Sequence, residues 1–272
     1  MLRALRIVMA AALFVGFNLF FLGFAEGLGF LARMQFVPAC LAFDGAALGA
    51  AAVSGAVVIV MTLLTGRIYC SICCPLGIFQ DIVSWVRRRI VRKSFSFRPG
   101  RPVVRAVFAV AFAALAICGC ASLAGLIEPY SVYGRFATHL FEPLAAMCNN
   151  AAADLAARWG RHVILRDEIF VRGWAALGVA GVSFVALTVA AAGRGRLFCN
   201  TVCPVGTLLG ALSLKTVVRI RLDAAKCVKC GMCARACKAE CIDGTTGTVD
   251  QSRCVRCFDC LGACKKGALS WK

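Results

Sequence analysis

The sequence predicts an α-helical membrane bundle of four spans, arranged as two parallel hairpin repeats, followed by a small α+β domain dense in cysteine. Three observations predict it: four long apolar runs, one motif written twice at a fixed offset, and eight cysteines in two matching groups near the C-terminus. Composition sets the frame. Of 272 residues, 61% are hydrophobic and 16% charged, and mean hydropathy is +0.81. Soluble domains carry about 25% charged residues, so lipid is expected to solvate part of this chain. In a chain this long and apolar, 18 cysteines point to metal or cluster binding rather than to a disulfide-stapled secreted protein. The net charge of +18 suits acidic lipid headgroups, an acidic partner or bound anionic groups. Nucleic acid is not an expected partner, because the basic residues flank the apolar runs.

The runs cover residues 7–25, 45–65, 106–127 and 173–193, and only Asn18 interrupts the first. A spanning helix needs roughly 20 apolar residues, so each is expected to cross the bilayer. The first follows the short basic stretch of Arg3 and Arg6. It is too long for a signal-peptide core and is expected to stay as an anchor. Charge sets the orientation. Between runs two and three lie Arg87, Arg88, Arg89, Arg92, Lys93, Arg98, Arg101 and Arg105, with no acid after Asp81. Arg33 is the only basic residue between runs one and two, and the loop 128–172 is nearly balanced. The positive-inside rule puts both termini in the cytoplasm of a multi-pass protein of the bacterial inner membrane. Gly45, Gly49, Gly178, Ala180 and Gly181 are small residues of the kind that let membrane helices approach closely.

The repeated motif is Gly66-Arg67-Ile68-Tyr69-Cys70, then Cys74-Pro75-Leu76-Gly77, against Gly195-Arg196-Leu197-Phe198-Cys199, then Cys203-Pro204-Val205-Gly206, 129 residues on. Each copy follows a run that returns to the cytoplasm, so the membrane half, 1–213, is two hairpin-plus-motif units in one orientation. A pseudo-twofold axis along the membrane normal would bring the motifs together at the inner face. Pro75 and Pro204 suit the first position of a helix. Cys74 and Cys203 then sit at helix N-termini, where the dipole favours thiolate. The four thiols Cys70, Cys74, Cys199 and Cys203 can hold a further iron–sulfur cluster or another soft metal. They can instead form two redox-active dithiol pairs, or lie buried in two interfacial turns. Cys73 has no counterpart in the second copy and is expected to be a spare thiol.

The tail, 214–272, carries Cys227-x2-Cys230-x2-Cys233-x3-Cys237 and then Cys254-x2-Cys257-x2-Cys260-x3-Cys264. This is bacterial ferredoxin spacing, in which the fourth cysteine of each run ligates the other cluster. One [4Fe–4S] cluster is therefore expected on Cys227, Cys230, Cys233 and Cys264, and a second on Cys254, Cys257, Cys260 and Cys237. Lys238 and Lys265 stand where a proline usually follows the fourth cysteine. Cys241, a ninth, reads as a small packing residue. Short strands are expected at 217–222, 248–250 and 268–271, with a turn starting at Asp243-Gly244.

Only two histidines are present, His139 and His162, and both fall on the outer loop. That excludes a bis-histidine haem within the bundle. No glycine-rich dinucleotide fingerprint joins a βαβ pattern. Glu128, Tyr130, Tyr133, His139 and Glu142 form a polar group just after the third run, either a quinone site or an ordinary solvated loop. Cys40, Cys118, Cys120 and Cys148 read as packing residues. The stretch 87–105 has its topogenic role and, as an alternative, a role in docking an acidic partner.

Four spans, two Gly-Arg-x-aromatic-Cys-x3-Cys-Pro motifs and a double ferredoxin tail together resemble the NapH/NosR-type membrane polyferredoxins. The resemblance covers nearly the whole chain. It implies an electron-transfer subunit of a quinol dehydrogenase system, linking the quinone pool through iron–sulfur clusters to a respiratory reductase chain. Quinol is the implied substrate, and other iron–sulfur or cytochrome proteins are the implied partners. A related branch handles copper. On that alternative, Cys70, Cys74, Cys199 and Cys203 would bind and reduce copper for oxidase assembly. A third reading is a non-enzymatic assembly or redox-sensing subunit.

Overall fold

The computed structural model describes residues 1–41, 47–91, 94–160, 165–168 and 173–272. Gly45, Arg92, Lys93, Arg161, His162, Arg172 and the side chain of Cys40 lie outside the described residues. Helix α1 (Leu2–Phe21) is followed by a 3-10 turn, Glu26–Gly29, and by α2 (Phe30–Arg33), α3 (Phe36–Leu41) and α4 (Ala47–Thr65). The first motif gives α5 (Tyr69–Ile72) and α6 (Pro75–Ile90). Then come α7 (Pro102–Ile117), α8 (Ala121–Ala124) and α9 (Pro129–Phe136), which passes through a π-turn (Ala137–Phe141) into α10 (Glu142–Arg158). Helix α11 (Trp174–Arg194) leads to α12 (Leu197–Thr201) and α13 (Pro204–Leu212). The tail holds β1 (Ile220–Leu222), α14 (Met232–Ala236), α15 (Asp259–Ala263) and β2 (Leu269–Trp271).

Among the described residues, two helices, Leu2–Phe21 and Trp174–Arg194, are long and apolar enough to cross a membrane. Neither is the hidden core helix of a soluble protein. Val8 and Val15 on α1 and Val182, Val185 and Val189 on α11 are more than half exposed. Burying such residues in lipid is worth roughly 1.5–3 kcal/mol each. The other two expected spans are shorter as apolar helices, Val53–Thr65 and Pro102–Ile117.

The segments between these helices do not stay outside the bundle. Gln35 donates to the Cys73 carbonyl at 3.2 Å and accepts from the Tyr69 hydroxyl at 2.9 Å, so the turn after α1 reaches back to the first motif. Helix α9 packs on α6 and α11, with Tyr133, Phe136 and Ala137 fully buried. Phe136 meets Phe79 and Phe184 at ring-centre distances of 6.0 and 5.4 Å.

The tail is tied to the bundle through backbone. Val217 and Val218 donate to the Leu63 and Leu64 carbonyls of α4 at 3.0 and 2.9 Å, supplying partners for a helix C-terminus that has none of its own. Strands β1 and β2 pair antiparallel, Ile220 opposite Trp271. The expected strand at 248–250 reduces to one bridge, Ile242 with Val249. One hydrophobic cluster runs from Phe36 through Cys70, Leu76 and Leu209 to Cys254 and Leu269. The core therefore crosses from the helical half into the tail without a break.

Candidate iron–sulfur and thiol sites

The two motifs meet, and each is completed by the other. Arg67 donates to the Cys199 carbonyl at 3.0 Å and to Asn200 Oδ1 at 2.9 Å. Arg196 donates to the Cys70 carbonyl at 2.6 Å. Both arginines are fully buried. The glycines of the motifs make this exchange possible. A Cβ on Gly77 would lie 2.3 Å from the Cys70 carbonyl oxygen and 2.7 Å from Arg196, and one on Gly206 would lie 2.2 Å from the Cys199 oxygen and 2.8 Å from Arg67. Pro75 and Pro204 do open α6 and α13, with Cys74 and Cys203 as N-caps. The Cys203 thiol accepts from the Gly206 amide at 3.2 Å, while Gln80 donates to Cys199 Sγ at 3.2 Å.

Cys70, Cys74, Cys199 and Cys203 are all buried, at 3–4% exposure. Burial pushes the Cys74 and Cys203 thiols well up, and the neighbouring thiols push the same way; the Gly77 and Gly206 amides oppose this more weakly. Burial also raises Cys199, against the guanidinium of Arg196. For the free thiols, desolvation opposes the thiolate that the helix N-termini favour. Cys73, the spare thiol, is pushed up to about 11 by burial and Cys70. Among the described residues, no three His, Cys, Asp or Glu side chains stand close enough to hold a single metal ion.

In the tail, the cysteines sort into two cavities. One is lined by Cys227, Cys230, Cys233 and Cys264. The other is lined by Cys237, Cys254, Cys257 and Cys260. Each cavity is lined by three cysteines of one run and the fourth cysteine of the other. The loops are bent alike: Lys229 and Arg256 have φ of 51° and 53°, and Gly231 and Phe258 have 68° and 61°. Left-handed residues of this kind turn successive amides toward one centre and make an anion-binding nest. Four thiols and such a nest fit an anionic [4Fe–4S] cube.

Cys241 is more than packing. Its sulfur lies 3.5 Å from Cys237 Sγ inside the second cavity. The hydrogen bond from Cys241 lowers Cys237, and with Arg256 nearby it brings Cys254 down to about 6 against burial.

Lys238, in the place of the usual proline, is an ion-pair centre. Its ammonium lies 2.7 Å from Asp81 and 3.4 Å from Asp259. Asp81 also binds Arg196 at 2.7 Å and Arg6 at 2.9 Å. Burial alone would raise Asp81; Arg196, Lys238 and Arg6 together hold it well below the usual carboxylate range. The Lys238 carbonyl accepts from the Arg196 amide at 2.9 Å. A Cβ on Gly195 would stand 2.2 Å from that oxygen, so the glycine before Arg196 admits the ferredoxin loop.

The 4Fe–4S binding domain family matches the chain twice, at residues 48–94 and 174–222. Each match contains one Cys-x3-Cys-Pro motif. Over 210 residues the chain is 29% identical to the ferredoxin-type protein NapH of Escherichia coli K12, covering 72% of this chain and 68% of that one. The chain is similar to the ferredoxin-type NapH proteins over about seven-tenths of its length. It is also 25% identical over 187 residues to the NapH protein of Haemophilus influenzae, covering 67% of this chain and 52% of that one. An uncharacterized Methanocaldococcus jannaschii protein is 36% identical over 73 residues, 29% of its length. The chain thus spans about half of the Haemophilus protein and under a third of the archaeal one. No solved structure matches it.

Two members of the polar group after the third run have structural partners. Glu128 caps α9, accepting from the Tyr130 and Ser131 amides, and the Tyr133 hydroxyl donates to Asn18 at 2.9 Å. The basic stretch 87–105 docks the chain's own tail. Arg105 donates to Ser252 Oγ at 3.1 Å, Arg88 pairs with Asp259 at 3.8 Å, and the Arg98 amide reaches the Glu240 carbonyl at 3.4 Å. Sequence reasoning passed over Arg67, Arg196, Gln80 and Asp81. Three of these carried a signal: Arg67 and Arg196, at the same place in both repeats, and Asp81, the last acid before a run of cations.

Proposed function

We propose that this chain is an inner-membrane iron–sulfur electron-transfer subunit that links the quinone pool to a respiratory reductase chain. It would cross the membrane four times, with residues 1–213 as the membrane domain, 214–272 as the ferredoxin domain, and both termini in the cytoplasm. Cys227, Cys230, Cys233 and Cys264 would hold one [4Fe–4S] cluster, and Cys254, Cys257, Cys260 and Cys237 a second. The observation that carries this reading is the pair of four-cysteine cavities, each with its left-handed loop. A bound cube supplies one-electron exchange at a potential set by hydrogen bonds and charge around its sulfurs. The chain's own part would be to hold it: Cys241 and Phe258 line the second cavity beside its ligand cysteines, and the left-handed turns at Arg256 and Phe258 shape its loop.

The quartet Cys70, Cys74, Cys199 and Cys203 would take a third cluster. Support comes from its four buried thiols on a twofold-like clasp, and from the family matches falling on those two segments. Burial at 3–4% exposure favours a resident group over copper in transit, which would have to enter and leave. Electron partners would be iron–sulfur or cytochrome proteins.

Iron and acid-labile sulfide analysis with EPR on anaerobically purified protein tests the reading. Two clusters give about eight irons and three give about twelve, at four per cube. Reduced quinol should bleach the cluster absorbance. Colourless, iron-free protein would overturn the whole reading, and clusters inert to quinol would overturn the quinone link.

A further inference from the structure

Between α1 and α6 runs a groove that the electron-transfer reading does not use. Its inner end is polar. Arg3, Arg6, Arg88 and Lys238 line it together with Asp81 and Asp259; Arg3 and Arg88 pair with Asp259, and Arg6 and Lys238 with Asp81. Among these lining residues four cations against two carboxylates leave a surplus of two positive charges, and Arg196 behind them draws on Asp81 as well. The cations are not all satisfied: Arg6, whose side chain is 7% exposed, has an unpartnered Nε. Its outer wall is apolar. Ile7, Phe14 and Val15 follow one stripe of α1, and Ile82 and Trp85 face them from α6. Ile7, Val15, Ile82 and Trp85 are between 42% and 56% exposed.

A cationic end joined to an apolar trough at a membrane surface matches an amphiphile with an anionic head. An uncharged head, such as that of a quinone, would leave the positive surplus against hydrocarbon, which is costly. Basic sites on the cytoplasmic side attract anionic lipid heads by about 1 kcal/mol per Lys or Arg. We propose that this groove seats an anionic phospholipid of the inner leaflet. Its phosphate lies on Arg3, Arg6 and Arg88, and an acyl chain runs along Ile7, Phe14 and Val15. Lys238 and Asp259 belong to the ferredoxin tail, so the lipid bridges tail and bundle. The leaflet rests on the topology proposed above; the site does not rest on the clusters.

Trp85 gives a direct readout. The full-length protein, purified with its native complement of clusters in neutral detergent, is titrated with phosphatidylglycerol or phosphatidylcholine carrying brominated acyl chains. Saturable tryptophan quenching by phosphatidylglycerol, absent with phosphatidylcholine and lost in Trp85→Phe, is expected. Arg3→Gln with Arg88→Gln should weaken binding about 30-fold, the equivalent of two charges at the per-charge value of a basic membrane site. Lys215→Gln with Arg221→Gln, the same charge change elsewhere, should not. Equal quenching by both lipids, an unmoved midpoint in the Arg3/Arg88 variant, or displacement of the lipid by inorganic phosphate or a short-chain quinone alone would overturn the proposal. Micelles have no sidedness, so an error in the topology would leave this result intact and appear only in vesicle labelling.

Discussion

Replacing Asp81 with Asn removes one charge from the junction of both halves. The carboxylate binds Arg6, Arg196 and Lys238, whose side chains are 7%, 0% and 3% exposed. Losing one partner of a buried ion pair costs about 3–5 kcal/mol, because the remaining charge stays desolvated. Two contacts soften the loss. Lys238 keeps Asp259 at 3.4 Å, and Arg196 keeps the Cys70 carbonyl at 2.6 Å. The lower end, about 3 kcal/mol, is therefore expected. For a chain of this size that is a fall of roughly 6–12 °C in the melting midpoint, read by tryptophan fluorescence in detergent. Asp154→Asn is the control. It breaks the exposed pair with Arg166, at 52% and 69% exposure, and should move the midpoint by less than about 2 °C. The effect has a pH signature. The folded pKa of Asp81 is lowered, so its contribution is complete above the unfolded carboxylate value of about 3.9 and is lost as pH falls toward the folded one. The gap between wild type and Asp81→Asn should be constant from about pH 5 to 8 and narrow below about pH 4. A variant indistinguishable from the Asp154 control at neutral pH would refute the assignment of Asp81 as the junction.

Gly206→Ala and Gly77→Ala drive a methyl group into a carbonyl oxygen at 2.2–2.3 Å, and overpacking of this kind costs about 1–3 kcal/mol or more. Both should lose stability by denaturation assay, whereas Gly178→Ala, with nothing within 4 Å, should be near neutral. Cys241→Ala removes a sulfur 3.5 Å from Cys237. Iron content should hold while EPR redox titration shows one tail cluster shifted to lower potential, since losing a hydrogen bond to a ligand sulfur disfavours the more negative reduced state. Cys118, Cys120 and Cys148 are exposed, as is Cys230 in the tail. On the proposed topology, a membrane-impermeant thiol reagent should label the first three from outside spheroplasts, and Cys230, a proposed cluster ligand, only in inverted vesicles after the iron is stripped with a chelator.

What the sequence made legible followed from short-range geometry. The cysteine spacing, read with the rule for two-cluster ferredoxins, groups the residues that line the two tail cavities. Pro75 and Pro204 marked two helix starts. Charge content was harder to assign. The arginines from 87 to 105 read as a topology signal, yet Arg88, Arg98 and Arg105 contact the tail. Nothing local distinguishes an arginine facing water from one facing a distant carbonyl. Likewise, α9 is a short stretch with Glu128, Tyr130 and Tyr133 that reads as a solvated loop. Its capping, and the aromatic cluster awaiting it on α1, α6 and α11, turn it inward. Lys238 looked like a defect in a ferredoxin pattern and is a buried junction with Asp81 and Asp259.

The exchanged arginines also impose a timetable on biogenesis. Arg67 closes on backbone that is made 132 residues later. At ~5–20 residues per second this takes about 7–26 s of translation. On the four-span reading proposed above, Cys70 and Cys74 stay uncovered throughout that interval and Arg67 lacks its acceptors. A group that binds all four thiols has to arrive as the second motif closes on the first.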